Sequence, residues 1–379
     1  MNGGLFVIEI VEVTSKKDLK VFVKFPTKLY KKCRNYIPSL LVDELNTLRK
    51  DKNPAMDFCE SKYWLAYKDG KVVGRIAGII NYAAIDLWNE KAGRFGYIDF
   101  IEDMEVAKLL LETAEEWLIS KGMTKIQGPL GFSDFDLEGM LIKGFEYLGT
   151  MTTIYNHSYY VDYLKELGYS KDVDWLEYEI IIPDEVPEPV KIVAERSIKT
   201  NNLKVLEAKS KKDIIPYVPK LFSLINSAFK ELYEFTPLTD KQIKLYTKQY
   251  ISFINPNFVK FVLDENDELI AYVLGFPSLA KAIKKGKGRI LPFGFIYLLK
   301  ALKLNKRLEI VQIAVDPKFQ NRGVNAILFR ELIISCNKKG IHSADLNPQL
   351  ESNKKVRSQW QRFKHRQHKV RTSFYKELA

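Results

Sequence analysis

The chain has 379 residues, of which 46% are hydrophobic and 12% aromatic; it is longer than one core normally organises and too apolar for a disordered chain. Its formal charge of +12 is unevenly divided: residues 1–183 hold 23 Lys+Arg against 28 Asp+Glu, and residues 184–379 hold 36 against 19. The basic second half predicts an anionic partner, either a phosphate-rich small molecule or a nucleic acid.

The longest apolar stretch, Ile290–Leu299, is broken by Pro292 and closed by Lys300, well short of the roughly 20 residues a bilayer crossing needs. No membrane span and no membrane partner are expected. Met1–Glu12 alternates and carries acids, unlike a signal peptide. Cys33, Cys59 and Cys336 are isolated and lack metal or disulfide spacing, which fits a reducing cytoplasm without a metal.

In chain order, Val7–Val13 reads as a strand, Tyr63–Tyr67 and Val72–Ile80 as a hairpin around Asp69-Gly70, and Phe95–Phe100 as a further strand. Val106, Leu109, Leu110, Thr113, Ala114 and Trp117 recur at helical spacing up to Gly122. Three prolines within Pro183–Pro189 preclude helix or central strand and divide the chain into a domain at 1–183, a linker at 184–202 and a domain at 203–379. The second half continues with strand Leu203–Leu206, helix Ile214–Phe229, helix Lys241–Phe253 and a hairpin of Phe258–Leu263 with Leu269–Phe276. A basic insertion, Lys281–Lys306, has no clear pattern. Strand Leu308–Val315, a helix from Gly323 to about Lys339, strand Ser343–Leu346 and a helix opened by Glu351-Ser352-Asn353 complete an α+β pattern.

The most informative segment is the run from Leu308 through Asp316-Pro317 to Gln320-Asn321-Arg322-Gly323-Val324-Asn325. A strand ends and a helix begins at once after a glycine. A helix start offers unpaired N–H groups and the positive end of its dipole, and glycine admits a phosphate closely, so the loop suits a pyrophosphate. The other reading is a strand-to-helix turn with an incidental glycine.

This segment resembles the GNAT superfamily of N-acyltransferases, whose Gln/Arg-x-x-Gly-x-Gly/Ala fingerprint follows the fourth strand and binds the coenzyme A pyrophosphate. Gln320-x-x-Gly323 matches, and Asn325 stands where the family prefers Gly or Ala. The resemblance implies two GNAT-like domains, each a mixed, mostly antiparallel sheet flanked by helices, the first degenerate. It makes Ile313, Ala314, Val315, Gln320, Asn321, Arg322, Gly323, Val324, Asn325 and Asn353 the acetyl-coenzyme A contacts, with backbone N–H groups near Ile313–Val315 meeting the thioester oxyanion. Glu309 stands where the histone acetyltransferase branch carries its base glutamate. Apolar neighbours would raise its pKa towards the working range; the alternative is an exposed glutamate at a fraying strand end. The family's general-acid Tyr, seven residues after Asn353, is replaced by Trp360, which cannot donate that proton. Tyr375, with Tyr250 behind it, is the substitute candidate unless its ring is simply core packing.

The implied activity is acetyl transfer to an unidentified small-molecule or peptide amine in a ternary complex, since no cysteine adjoins the loop. In the first half, Glu102-Asp103-Met104-Glu105 replaces the glycine loop and would repel a pyrophosphate. Gly128–Asp134 and Tyr155–Tyr160 are candidates to line an acceptor pocket or to cap a core. Lys354–Arg371 holds eight Lys+Arg, two His and no acid. It reads as a basic amphipathic helix over the coenzyme domain, or as the footprint of a nucleic-acid-binding or regulatory protein. Without a base-reading motif, only weak, non-specific nucleic-acid binding is expected. A third reading, aminoacyl transfer by a tandem GNAT protein, is opposed by the coenzyme loop.

Overall fold

The computed structural model describes residues 7–251 and 254–378. The N-terminal reading over residues 1–6 and the end of the expected helix at residues 252–253 lie outside the described residues. Two compact units form: Met1–Leu176 with Ala280–Tyr297 and Lys369–Ala379, and Glu177–Leu279 with Leu298–His368.

In the first unit the sheet runs Ile8–Glu12, Cys59–Lys68, Lys71–Asn81, Ala92–Phe100, Lys125–Gly128 and then the terminal part of strand His365–Glu377. All neighbouring pairs are antiparallel except Ala92–Phe100 with Lys125–Gly128. The hairpin turns at Asp69 (φ 52°) and Gly70 (φ 68°), the left-handed pair that matches strand twist. Helix Met104–Ser120 starts where the Asp103 side chain accepts the amides of Glu105 (3.1 Å) and Val106 (3.4 Å). It buries Val106, Leu110, Ala114 and Trp117 on the sheet. The approach is close: a Cβ on Gly78 would sit 2.7 Å from the Trp117 ring.

In the second unit the sheet runs Lys204–Val205, Val259–Leu263, Leu269–Pro277, Arg307–Val315, Ser343–Leu346 and then the end of strand Ser170–Ile181. Only Arg307–Val315 with Ser343–Leu346 is parallel. Both units therefore have the expected α+β design, with a mixed, mostly antiparallel sheet flanked by helices. Helix Val324–Lys339 is buried nearly all round, through Val324, Ile327, Leu328, Leu332 and Cys336 among others, because helix Glu188–Asn201 covers the side the sheet leaves open.

That covering helix occupies most of the stretch read as a linker. Pro189 lies in its first turn, where a missing N–H costs nothing, so the proline cluster marks a helix start. The patternless insertion contains helices Ala280–Gly286 and Gly294–Leu304. Lys354–Arg371 is not one helix: Lys354–Trp360 is helical, and strand begins at His365. Trp360 and Phe363 both seat on Phe329, with ring centroids 5.0 and 5.6 Å away, and this contact turns the chain. Among the described residues, no helix is long and apolar enough to cross a membrane.

Candidate active site

Strand Arg307–Val315 keeps its parallel partner only as far as Ile310↔Leu346, where the Asn347 amide closes the pairing onto the Ile310 carbonyl at 3.0 Å. Its antiparallel partner continues to Ala271↔Val315, but with a bulge: Leu274 faces Gln312 and Gly275 faces Ile310, leaving Val311 as the extra residue. The bulge resets the alternation of the backbone. Because the Asp316 amide donates to Ile270 O at 2.8 Å, the amides of Val315 and Ile313 turn the other way, into the gap left by the departed strand.

That gap opens into a pocket of about 540 Å³ within the second unit, a size suited to a small ligand. Ile313, Ala314 and Val315 form one wall, and Gln320, Asn321, Gly323, Val324 and Asn325 form another. Asp316 caps the single turn Pro317–Phe319 by accepting the Lys318 amide at 2.8 Å. Asn321 (φ 62°) and Gly323 (φ 79°) then bend the chain into helix Val324–Lys339. Gly323 is constrained twice, since a Cβ there would lie 2.8 Å from Val193 Cγ1. The helix N-terminus thus borders the pocket with its unpaired amides and positive dipole end.

Lys355 and Arg362, not singled out from the sequence, bring further positive charge to the lining. So do Phe229, Leu232 and Phe319 with apolar surface. Their signal was present only as the general basicity of 354–371. Asn353 lines the pocket while its side chain accepts the Val356 amide at 3.2 Å and so starts helix Lys354–Trp360. Arg322 is not among the lining residues; its guanidinium lies over the Phe319 ring at 5.4 Å.

The three acid–base candidates are dispersed. Glu309 is 3% exposed, which removes the reading of a frayed, solvated glutamate, and it accepts the Ser278 hydroxyl at 2.5 Å. It lies beside Asp345 in the parallel pair and does not line the pocket. Tyr375 belongs to the first unit, paired with Gln127, its ring 5.1 Å from Lys125 Nζ. Tyr250 is exposed. Trp360 is buried, donates its indole N–H to Gln349 Oε1 at 3.2 Å and stays out of the pocket lining.

Beside Glu309, Arg307 holds both Asp345 (Nε–Oδ2 2.5 Å) and Glu179 (2.6 Å), and Arg366 also reaches Glu179 at 2.5 Å. Burial would raise the Glu179 carboxyl, but the two guanidinium groups hold it below the ordinary value. Much of the basic run therefore has internal partners: Arg366 here, Arg357 on the Glu351 carbonyl, and Arg371 buried on the Gly139 and Ile154 carbonyls.

The first unit repeats the parting of strands but fills it. The Leu130 amide closes onto Phe95 O at 2.9 Å, and the Ile101 amide donates to Val73 O at 3.0 Å, so the Phe100 amide faces the gap as Val315 does. There the Tyr160 hydroxyl takes it at 2.6 Å. Only Ile101, Glu102 and the capping residue Asp103 link strand to helix, and Asp103 pairs with Lys68 at 2.7 Å. His157, its pKa lowered by burial, has ring neighbours Tyr30 and Tyr159. Among the described residues no group of three His, Cys, Asp or Glu is placed to hold a metal ion.

Comparison with known proteins agrees with this geometry. Residues 219–363 match the acetyltransferase (GNAT) family. Protein YghO of Escherichia coli (strain K12) is 27% identical, over 89% of this chain and 87% of its own length. The bacterial ceramide synthase of Caulobacter vibrioides (strain NA1000 / CB15N) is 28% identical, over 83% of this chain and 82% of its own length. The fold matches a tandem GNAT protein from the clavulanic acid biosynthesis pathway with a TM-score of 0.58 at 10% identity, covering 98% of this chain and 99% of that one. Residues 219–363 thus match the acetyltransferase (GNAT) family, and the chain as a whole shares the fold of a tandem GNAT protein.

Proposed function

We propose that the protein is a coenzyme A-dependent N-acyltransferase, in its simplest form an N-acetyltransferase, that transfers the acyl group directly to an amine in a ternary complex. The observation that carries this reading is the open strand gap in the second unit, where the amides of Ile313 and Val315 turn towards a pocket bordered by a helix N-terminus. The residues fit a coenzyme: Gly323 clears the backbone for a pyrophosphate, and Lys355 and Arg362 supply countercharge. When bound, the thioester supplies the acyl carbon.

This chain's residues then have three tasks. The Val315 and Ile313 amides hold the thioester oxygen as negative charge develops on it. Glu309 takes the ammonium proton so that the amine presents a lone pair, with Ser278 keeping the carboxylate in one orientation. Neither Glu309 nor Tyr375 lines the pocket itself, so Glu309 receives its proton through water, and the departing thiolate is protonated by Tyr375 or by solvent. We further propose that the first unit binds no coenzyme and contributes to acceptor choice, and that nucleic acid binds only weakly through phosphate contacts. The thiols, with Cys59 and Cys336 buried, suit a reducing cytoplasm.

A second reading, a longer acyl donor and a lipid-like amine, is favoured by the similarity to the Caulobacter ceramide synthase and by the apolar part of the pocket lining, Phe229, Leu232 and Phe319. One assay tests both: thiol release from acetyl- through palmitoyl-coenzyme A against polyamines, amino acids, aminosugars, peptides and long-chain amino alcohols. Release with short donors and soluble amines supports the first reading, and release confined to long donors with amphipathic amines supports the second. Absence of coenzyme binding would defeat both.

A further inference from the structure

We infer that the segment Ile290–Leu304 docks on the surface of an anionic lipid bilayer. Six large apolar side chains within these residues face outward: Leu291 (72% exposed), Phe293 (64%), Phe295 (42%), Ile296 (38%), Leu299 (54%) and Leu304 (71%). Such clustering is costly in water unless a partner covers it. Helix Gly294–Leu304 turns Leu298 inward, while Phe295 with Leu299 and Ile296 with Leu304 recur on its outer face.

Cations flank and interleave these apolar residues along the chain. No acid lies between Glu268 and Glu309, and Lys281, Lys285, Lys287, Arg289, Lys300 and Lys303 are all exposed. The preceding segment is held from its inner side, where the Gly288 carbonyl accepts the Leu41 amide at 3.0 Å and Lys284 donates to the Cys33 carbonyl at 3.3 Å.

This combination selects the occupant. A symmetric contact with a second copy would set one basic segment against another, and like charges at close range repel. A bilayer of anionic lipids offers an apolar interior for the Phe and Leu side chains and phosphates for the Lys and Arg heads in a single surface. The helix has 11 residues and cannot cross, so it lies in the interface. The sequence's lack of a 20-residue apolar run argues against a span and, with it, against a membrane partner; docking needs only one outward apolar face. The inference does not depend on the acyl-transfer reading, although it would bring the chain to amphipathic substrates.

The test is flotation of the full-length protein with vesicles of phosphatidylcholine alone or mixed with phosphatidylglycerol. Wild type is expected to float with the mixed vesicles and about tenfold less with the neutral ones. Phe293→Asp/Leu299→Asp should abolish flotation, and Lys300→Glu/Lys303→Glu should weaken it about tenfold; all four positions are exposed, and circular dichroism checks that the variants fold. Failure of wild type to float with mixed vesicles, or undiminished flotation of the folded variants, overturns the proposal. So does a wild-type dimer that Phe293→Asp/Leu299→Asp converts to monomer without any vesicle binding.

Discussion

The Tyr160 hydroxyl accepts the Phe100 amide at 2.6 Å, occupying in the first unit the position that stands open beside Val315 in the second. It also donates to the Phe100 carbonyl at 2.9 Å and accepts the Tyr30 hydroxyl at 3.1 Å. Both units build the same parting of two parallel strands. In one it is satisfied by the chain itself, and in the other its donors face a pocket.

The protein is therefore expected to bind one equivalent of acyl-coenzyme A per chain by titration calorimetry. Gly323→Glu should abolish binding, because a side chain there meets Val193 and fills the phosphate cradle. Since that variant is also strained, Arg362→Ala provides the milder check, with affinity falling about tenfold and the fold intact. Two equivalents, or unchanged affinity in both variants, would contradict the assignment.

Glu309→Gln nearly preserves shape but cannot accept the amine proton. Turnover should drop about 10²–10⁴-fold with little change in coenzyme affinity, and should partly recover at high pH, where free amine no longer needs a base. Wild-type turnover in this variant would remove Glu309 from the mechanism while leaving the binding site standing.

Burial pushes the Asp136 carboxyl up to about 6, against the opposing pull of the Ser133 and Phe132 amides and of Arg94. The folded value lies above that of the unfolded chain, so this group's stabilisation is complete below about pH 4 and is lost as pH rises through about 6. Urea unfolding of wild type and Asp136→Asn should therefore diverge across that window, wild type losing on the order of 2 kcal/mol relative to the variant. Parallel pH profiles would show that Asp136 ionises normally.

Trp360 is core, with its ring on Phe329 and its N–H on Gln349. Trp360→Ala should cost about 3–5 kcal/mol in chemical denaturation. Trp360→Tyr should not raise kcat, because a hydroxyl there is buried outside the pocket lining. An increase in kcat with a new alkaline limb would mean that the position does reach the leaving thiolate.

Local patterns made the elements legible. Asp69-Gly70 predicted its hairpin, Gly122 and the Val106–Trp117 stripe predicted helix Met104–Ser120, and Ser343–Leu346 agrees residue for residue. Helix Glu188–Asn201 was missed because its prolines suggested a break, and its apolar stripe has meaning only against helix Val324–Lys339. The turn through Gln320–Asn325 was legible, and its residues other than Arg322 do border the pocket, because glycine after a strand and before a helix is a local requirement. Lys355 and Arg362 were not, since their approach to that loop depends on where Trp360 and Phe363 seat on Phe329.

By itself the sequence determined the α+β alternation, the phosphate-suited turn at Gly323 and the basic bias of the second half, because backbone conformation, periodicity and charge are properties of neighbouring residues. Tertiary structure alone decided that Glu309 is buried against Ser278, that Tyr375 belongs to the other unit, and that one strand gap is open while the other is filled by Tyr160. These depend on contacts between residues far apart in the chain, which no local pattern specifies.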